Sequence, residues 1–259
     1  MEDDFPEKSF VSLRFYEELN FFLPESRRKS VFQVECHPGQ TVKDLIESLG
    51  IPHTEIDLIL VDGQSVDFSF QPSNMSYISV YPVFETLDIS LVTRLRAAAL
   101  RDPAFVLDVH LGTLARYIRL LGFPAVYRNN WDDAELASYA EKNRLILLTR
   151  DRGLLKRKVV THGMFVYETD PRKQIQELCR RLDLYSLIKP FSRCLSCGSI
   201  LEPLEYGSEA FRKVRGSIPP GVVSWCRDFK RCSGCGKIFW EGSHMEQLKK
   251  IIAGVSQRP

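Results

Sequence analysis

The sequence predicts an α/β protein with three parts, and three observations carry that prediction. Residues 10–84 alternate in the manner of strands around one amphipathic stretch. Residues 104–182 alternate short apolar runs with amphipathic stretches, and two C-x-x-C pairs follow them. We therefore expect a small α+β domain, then a mostly parallel sheet with helices on both faces, then a cysteine-rich C-terminal part.

The N-terminal part has two predicted strands, then a helix, then further predicted strands. Its strands are predicted at 10–16, 31–36, 59–61, 65–66 and 77–81. Thr41 is the predicted helix N-cap, Gly50 ends the helix, and Asp62-Gly63-Gln64 is a tight turn. This order is similar to the β-grasp fold of ubiquitin-like and small sulfur-carrier proteins. Sulfur carriers end in Gly-Gly, whereas this chain continues through Pro82-Val-Phe-Glu85, so we expect a domain that docks a protein partner.

The middle part follows a linker with helical character. Strands are predicted at 105–107, 125–127, 145–148 and 164–167, and helices at 111–121, 135–142 and 175–182. Asp108 closes the first of these strands, and Asp151 follows the third. Ligands of open α/β sheets bind beyond the carboxyl ends of the strands, and neither residue begins an obvious helix. Both are therefore predicted to be functional.

Further acidic residues lie at predicted helix starts. Asp132, Asp133 and Glu135 open the second helix of the middle part, and Asp170 precedes Pro171. Two interpretations stay open, because Asp132 with Glu135 has the pattern of a capping box and Asp-Pro is typical of an N-cap. Three or four carboxylates brought together would bind Mg²⁺ or Mn²⁺, which can activate water for phosphodiester cleavage. An aspartate-nucleophile phosphatase is disfavoured, because His110 stands where its second Asp is needed.

Basic residues surround these carboxylates in the sequence. Arg116 and Arg119 lie three apart on the helix after Asp108, and Arg150 and Arg152 flank Asp151. The arginine guanidinium is a planar fork that pairs with phosphate. We expect these four residues to bind RNA, with ordinary surface charge as the alternative. The whole chain carries a formal charge of only +2, but its first hundred residues are acidic and the remainder is basic.

Cys194 and Cys197 form one C-x-x-C pair, and Cys232 and Cys235 form another. Each pair can place two thiolates on one tetrahedral zinc ion, and four thiolates leave no open position for catalysis. We therefore predict a structural zinc site. The segment between the pairs is long, and its charged and proline-rich composition predicts an exposed excursion. A redox role is disfavoured, because neither pair has a thioredoxin-like context. Aromatic and basic residues that alternate from 225 to 240 suit stacking on RNA bases or packing of the cysteine-rich part.

Several of these motifs resemble one known family. They are Phe105-Val-Leu-Asp-Val-His-Leu-Gly-Thr-Leu-Ala-Arg-Tyr-Ile-Arg-Leu-Leu-Gly122, Leu147-Leu-Thr-Arg-Asp-Arg152, Arg193-Cys-x-x-Cys197 and Cys232-x-x-Cys-Gly-Lys-Ile-Phe-Trp-Glu-Gly-Ser-His244. Together they resemble the Mut-seven C-terminal ribonuclease family, PIN-like nucleases with an appended zinc ribbon. The resemblance implies metal-dependent RNA cleavage, with Asp108, Asp133 and Asp151 holding the metal and Glu135 in support. Members with an N-terminal ubiquitin-like domain are known.

The predicted organisation is a ubiquitin-like β-grasp domain at 8–86, a linker at 87–103, a PIN-like nuclease domain at 104–190 and a zinc ribbon at 191–252. The predicted function is a metal-dependent ribonuclease with structural zinc and catalytic Mg or Mn, and the alternative is a catalytically silent RNA-binding adaptor. The expected partners are RNA and a protein bound by the β-grasp domain. No apolar run is long enough for a membrane span, and the acidic start lacks the features of a signal peptide, so a cytoplasmic location is expected.

Overall fold

The computed structural model describes residues 9–84, 89, 91–95, 103–242 and 245–256. The chain divides into two compact units. The first comprises Met1–Arg101 together with Thr149–Phe165, and the second comprises Asp102–Leu148 together with Val166–Pro259. The chain therefore returns to the first unit for one short segment in the middle of the second.

The N-terminal part of the first unit is a five-stranded sheet with one α-helix. Its elements are β1 Ser9–Phe15, β2 Phe32–Cys36, α1 Val42–Ser48, β3 Ile56–Val61, β4 Gln64–Ser65 and β5 Tyr77–Pro82. The strand order is β2-β1-β5-β3-β4, with β1 parallel to β5 and the other pairs antiparallel. This mixed sheet confirms the predicted β-grasp order.

Local signals explain where these elements begin and end. The Thr41 side chain accepts a hydrogen bond from the backbone N–H of Asp44, which caps α1 as predicted. Gly50 follows the helix with a φ of +95°, in the region that favours glycine. Asp62 and Gly63 both have positive φ, as a two-residue turn between twisted antiparallel strands requires. The hairpin turn of β3 and β4 is therefore encoded by two residues.

The segment 149–165 carries two short elements, which also belong to the first unit. They are α4 Arg152–Leu155 and β9 Gly163–Phe165, and they follow β8 Ile146–Thr149.

The second unit begins with a parallel sheet. Its first elements are β6 Phe105–Leu107, α2 Gly112–Leu120, β7 Ala125–Tyr127, α3 Asp133–Lys142 and, after β8, α5 Pro171–Arg181. β6 pairs in parallel with β7 and with β8, and all three of its residues are fully buried. This arrangement confirms the predicted parallel sheet.

The cysteine-rich part is an antiparallel sheet with added helices. Its elements are β10 Leu201–Glu205, α6 Glu209–Val214, α7 Pro220–Trp225, β11 Asp228–Cys232, β12 Ile238–Trp240 and α8 Met245–Ser256, with the strand order β10-β11-β12. The expected exposed excursion is only partly exposed. Phe211 of α6 and Val223 of α7 are buried with Leu204 and Phe229 of the sheet. The segment therefore adds its own helical layer to the core.

Within the described ranges, none of the helices combines the length and the apolar character that crossing a lipid bilayer demands.

Candidate metal centre and active site

The four predicted zinc ligands come together. The Sγ atoms of Cys194, Cys197, Cys232 and Cys235 all lie within 4.8 Å of one another. Two of the separations are 3.7 Å, between Cys194 and Cys235, and 3.4 Å, between Cys197 and Cys232. A tetrahedral ion with Zn–S bonds of about 2.3 Å requires S–S distances of about 3.8 Å, whereas a disulfide requires about 2.05 Å. The geometry therefore fits a structural zinc ion and excludes disulfides.

Both cysteine pairs lie in turns of the same form. The N–H of Gly198 donates to the carbonyl of Cys194 at 2.8 Å, and the N–H of Gly236 donates to the carbonyl of Cys232 at 3.1 Å. Both glycines have positive φ, +83° and +72°. Glycine adopts that conformation without steric cost, so each turn can fold its two thiols toward one point. We name these turns the first and second zinc knuckles.

The thiols of the first knuckle differ in acidity. Burial raises the pKa of the Cys194 thiol to about 12. Burial also raises the pKa of Cys197, but hydrogen bonds from the Ser199 side chain and backbone outweigh it and bring that pKa down to about 6. A bound divalent cation would lower the pKa of both thiols, because it stabilises the thiolate form of each ligand.

The remaining cysteines lie apart from this centre. Cys36, Cys179 and Cys226 are buried, and burial raises the pKa of Cys179 to about 12. The Cys226 thiol lies in the apolar core of the cysteine-rich part and donates to the carbonyl of Asp228. His244 lies outside the described residues.

Asp108 lies directly after the central parallel strand β6. Its backbone N–H donates to the carbonyl of Leu148, and its Oδ1 accepts from the N–H of Val109 at 2.5 Å. It therefore caps a 3-10 helix at Val109–Leu111, which leads into α2. The side chain is half-exposed. The expectation that Asp108 begins no helix is wrong, although its place at the strand end is as predicted.

Asp151 has a similar place two residues beyond β8. Its Oδ1 accepts from the N–H groups of Gly153 and Leu154, at 2.6 and 3.4 Å, and so caps α4. The side chain is exposed. Here too the expectation that no helix begins is wrong. The helix was missed because it is a single turn, too short to show an apolar period.

The other acidic residues take the capping roles that their patterns indicate. The Asp132 side chain accepts from the N–H of Ala134 and of Glu135, and Glu135 Oε2 accepts in return from the Asp132 N–H at 3.3 Å. Asp133 is exposed in the first turn of α3. Asp170 caps α5 ahead of Pro171, as predicted for an N-cap.

The predicted carboxylate ligands do not come together in the way that the cysteines do. A metal site needs three or more ligand atoms close enough to share one ion. Among the described residues, the four cysteines meet this condition and no set of carboxylates does. Asp108, Asp133 and Glu135, which belong to the same unit, do not form such a set.

The two arginines of α2 differ in burial: Arg116 is exposed and Arg119 is buried. Arg119 is only 4% exposed. Its guanidinium donates to the carbonyls of Ala125, Leu195 and Ser196, at 2.9, 3.1 and 2.9 Å. Burial lowers the pKa of this group. Arg119 thus ties α2 to the first zinc knuckle, a position that differs from the surface position expected of an RNA contact.

The other predicted RNA-binding arginines are exposed. Arg116 lies on the outer face of α2, and Arg150 lies beside Asp151. Arg152 is exposed as well, but its guanidinium lies 5.0 Å from the ring centre of Phe22 and 5.7 Å from that of Phe165. It also contacts the Phe22 carbonyl at 3.4 Å. Arg116 and Arg150 therefore keep the surface position that a phosphate contact needs.

A groove of about 880 Å³ lies on the second unit, and Arg116 lines it. We call it the ribbon groove. Its walls include the cationic residues Arg116, Arg193 and Lys230, the acidic residues Asp228 and Glu241, and the aromatic residues Phe191, Trp225, Phe239 and Trp240. The sequence assigned no binding role to Phe191, and it placed Arg193 only in the motif of the first cysteine pair. Neither lies in a periodic pattern with the other lining residues, and only folding brings them to the groove.

Comparison with protein families assigns most of the second unit, together with the segment 149–165, to one family. Residues 103–252 match the family model described as Mut7-C RNAse domain. The chain belongs to the Mut7-C RNAse domain family. Residues 8–88 match a second family model, described as Mut7-C ubiquitin. Both matches confirm the resemblance inferred from the motifs. No curated protein and no solved structure matches the chain.

Zinc content tests the metal centre of this Mut7-C protein. We expect one zinc ion per chain by atomic absorption, and loss of most of it in Cys194→Ser, because a hydroxyl is a poor zinc ligand. Cys226→Ala is the matched control, since that thiol is buried in the same part of the chain outside the tetrad. A Cys194→Ser protein with a full equivalent of zinc would contradict the assignment.

Substitutions of the two arginines of α2 should differ strongly in their effect on the free energy of unfolding. Arg119→Met leaves three carbonyls without their donor, so we expect a loss of about 3 kcal/mol in the free energy of unfolding and faster zinc release. Arg116→Met should stay within about 0.5 kcal/mol of wild type, because the side chain is exposed. Urea denaturation followed by circular dichroism, with a chromogenic zinc chelator, measures both quantities. Equal stability of the two variants would show that the Arg119 contacts are dispensable.

Proposed function

We propose that the chain is a divalent-metal-dependent ribonuclease, with Asp108, Asp133 and Asp151 holding Mg²⁺ or Mn²⁺ and Glu135 supporting them. The observation that carries the proposal is the match of residues 103–252 to the Mut7-C RNAse domain. In the proposed organisation, 8–86 is a ubiquitin-like domain, 87–103 a linker, 104–190 the nuclease domain and 191–252 the zinc ribbon.

The positions of two proposed ligands support this function. Asp108 and Asp151 follow β6 and β8, two parallel strands that pair with each other. The carboxyl ends of parallel strands are where α/β sheets bind ligands. Mg²⁺ and Mn²⁺ prefer oxygen ligands, so the donor chemistry of the three aspartates fits these ions. When bound, such ions activate water and stabilise the leaving oxygen of a phosphodiester.

The ribbon groove supports RNA as the substrate. Its three cationic residues outnumber its two acidic ones, and Trp225 is 58% exposed. Arg116 has no hydrogen-bond or ion-pair partner among the described residues, so its guanidinium is available to a phosphate. Exposed aromatic rings beside cations suit unpaired bases joined by phosphates. The groove is thus our candidate for the surface where the zinc ribbon holds RNA.

A specific observation also favours the adaptor alternative. Asp108, Asp132, Asp151 and Asp170 each accept backbone hydrogen bonds at the start of a helix, so each has a structural role without any metal. In the adaptor, the same surfaces bind RNA and the carboxylates only cap helices.

The proposed cytoplasmic location rests on the seven cysteines, none of which is in a disulfide and four of which form the proposed zinc site. Free thiols are typical of reducing compartments. A protein partner of the ubiquitin-like domain is part of the same proposal.

Cleavage of labelled RNA separates the two candidates. We expect wild-type protein with Mn²⁺ to cut single-stranded or hairpin RNA, and Asp108→Asn and Asp151→Asn to lose about a hundredfold or more in rate, since metal stabilisation of the transition state supplies several kcal/mol. Asparagine is also a good N-cap, so the substitutions remove charge and keep the helix starts. Asp170→Asn is the matched control, because it changes another capping aspartate outside the proposed site. Equal non-zero rates in all four proteins would overturn the assignment of the aspartates, and no cleavage by any of the four would leave the adaptor.

RNA affinity measured without added Mg²⁺ or Mn²⁺ tests the groove independently of cleavage, and no chelator is used because it would also remove the structural zinc. Trp225→Ala should weaken binding of a fluorescent single-stranded RNA about fivefold or more, because a stacked base contributes roughly 1–3 kcal/mol. Arg116→Ala should lower the slope of log affinity against log salt by about 1, as loss of one phosphate contact does. Lys213→Ala, an exposed lysine paired with Glu209 outside the groove, serves as control. Wild-type affinity and slope in the first two variants would remove the groove from the proposal.

A further inference from the structure

We infer that the ubiquitin-like domain is a positioning element of the nuclease itself, because it holds the one-turn helix that carries Asp151. The inference rests on the proposed function, in which Asp151 is a metal ligand. Its starting observation is that Thr149–Phe165 belongs to the same compact unit as the ubiquitin-like residues. In sequence, however, this segment lies inside the match to the RNAse domain.

The helix α4 needs outside support. It has four residues, Arg152–Leu155, with Asp151 as its N-cap and Lys156 as its C-cap. A single turn in isolation is unstable, because fixing its backbone costs more than its few hydrogen bonds return. The orientation of α4, and with it that of the Asp151 carboxylate, therefore depends on what the helix packs against.

Both ends of α4 are bound to the ubiquitin-like domain. At the start, the Arg152 guanidinium stacks on Phe22, and Phe22 meets Phe165 edge-on with ring centres 5.4 Å apart. At the end, Lys156 Nζ donates to the carbonyl of Glu47 at 2.6 Å. Glu47 lies in the last turn of α1, where its carbonyl also accepts from the N–H of Gly50 and where a cation is favourable. These two contacts fix the helix at both termini.

Two buried side chains hold the rest of the segment. The His53 ring is 9% exposed and lies between Glu47 Oε1, at 2.7 Å, and the Val160 carbonyl, at 2.9 Å. Glu55 is 1% exposed, and its Oε1 accepts from the N–H of Phe165 in β9 at 2.5 Å. Removing either side chain takes away a hydrogen-bond partner of a backbone group in this segment. The segment thus receives two buried polar contacts from the ubiquitin-like domain.

These contacts revise the expected roles of two features. Arg152 was expected to bind RNA, but its stacking on Phe22 makes it a positioning residue. The ubiquitin-like domain was expected to dock a separate protein, but this side of it, formed by Phe22, Glu47, His53 and Glu55, binds a segment of its own chain.

The test uses the full chain and Mn²⁺ itself as the probe. The test variant carries His53→Ala and Lys156→Met, and we expect its affinity for Mn²⁺ to fall about tenfold. Electron paramagnetic resonance of the free ion measures this affinity. The Mn²⁺ concentration that gives half-maximal cleavage should rise by the same factor. Amides of 152–165 should exchange hydrogen faster, while zinc content stays at one equivalent. Lys158→Met is the matched control, an exposed lysine two residues away. Lys156→Arg should keep the contact and wild-type values.

The outcomes separate the inference from the proposed function. Faster exchange with unchanged Mn²⁺ affinity, or unchanged exchange, overturns the positioning role even when the nuclease is active. Wild-type protein that binds Mn²⁺ but cuts no RNA sinks the nuclease alone, and a weaker Mn²⁺ site in the double variant still supports positioning. Wild-type protein that binds no Mn²⁺ overturns both.

Discussion

Backbone groups at turns and helix ends need hydrogen-bond partners, and charged side chains supply many of those partners in this chain. N–H groups at helix starts are paired by Asp108, Asp132, Asp151 and Asp170, and carbonyls by Arg119, Lys156, Arg193 and Lys230. Losing an N-cap side chain costs roughly 0.5–2 kcal/mol, and leaving a buried carbonyl unpaired costs about 1–3 kcal/mol, so each contact helps to decide a loop conformation. The loops of the candidate site are therefore folded by the same residue types that the proposed chemistry requires.

For the aspartates, capping and metal binding are compatible. A carboxylate has two oxygens and about four lone-pair directions, and the capping bonds of Asp151 all go to Oδ1. The cap also holds the side chain in one orientation. A ligand held in that way loses less conformational freedom when an ion binds. The capping role is thus a reason why an aspartate, rather than a more flexible glutamate, suits the end of β8.

Most of the fold was predictable from local signals, because Thr41, Gly50 and the Asp62-Gly63 turn determine their structure within a few residues. The misjudged parts depend on distant contacts. Residues 209–225 are rich in charge and proline, which predicts exposure, yet Phe211 and Val223 reach a core formed with Leu204 and Phe229. Likewise, no local pattern shows that 149–165 packs with residues about a hundred positions earlier in the chain.

The candidate site also has a part that local sequence signals predict, the zinc ligands, and a part that depends on distant contacts, the arginines of α2. The zinc ligands were predictable because a C-x-x-C pair is a local signal for one knuckle. Arg116 and Arg119 have identical side chains three residues apart on α2. Arg119 differs in its contacts, with the carbonyl of Ala125 and with two carbonyls more than seventy positions later. Through Arg119, the first zinc knuckle is bonded to α2, the helix that the Asp108 turn precedes. A zinc ion with four thiolate ligands has no position for a substrate, so its contribution to any chemistry at Asp108 is to hold that helix in place.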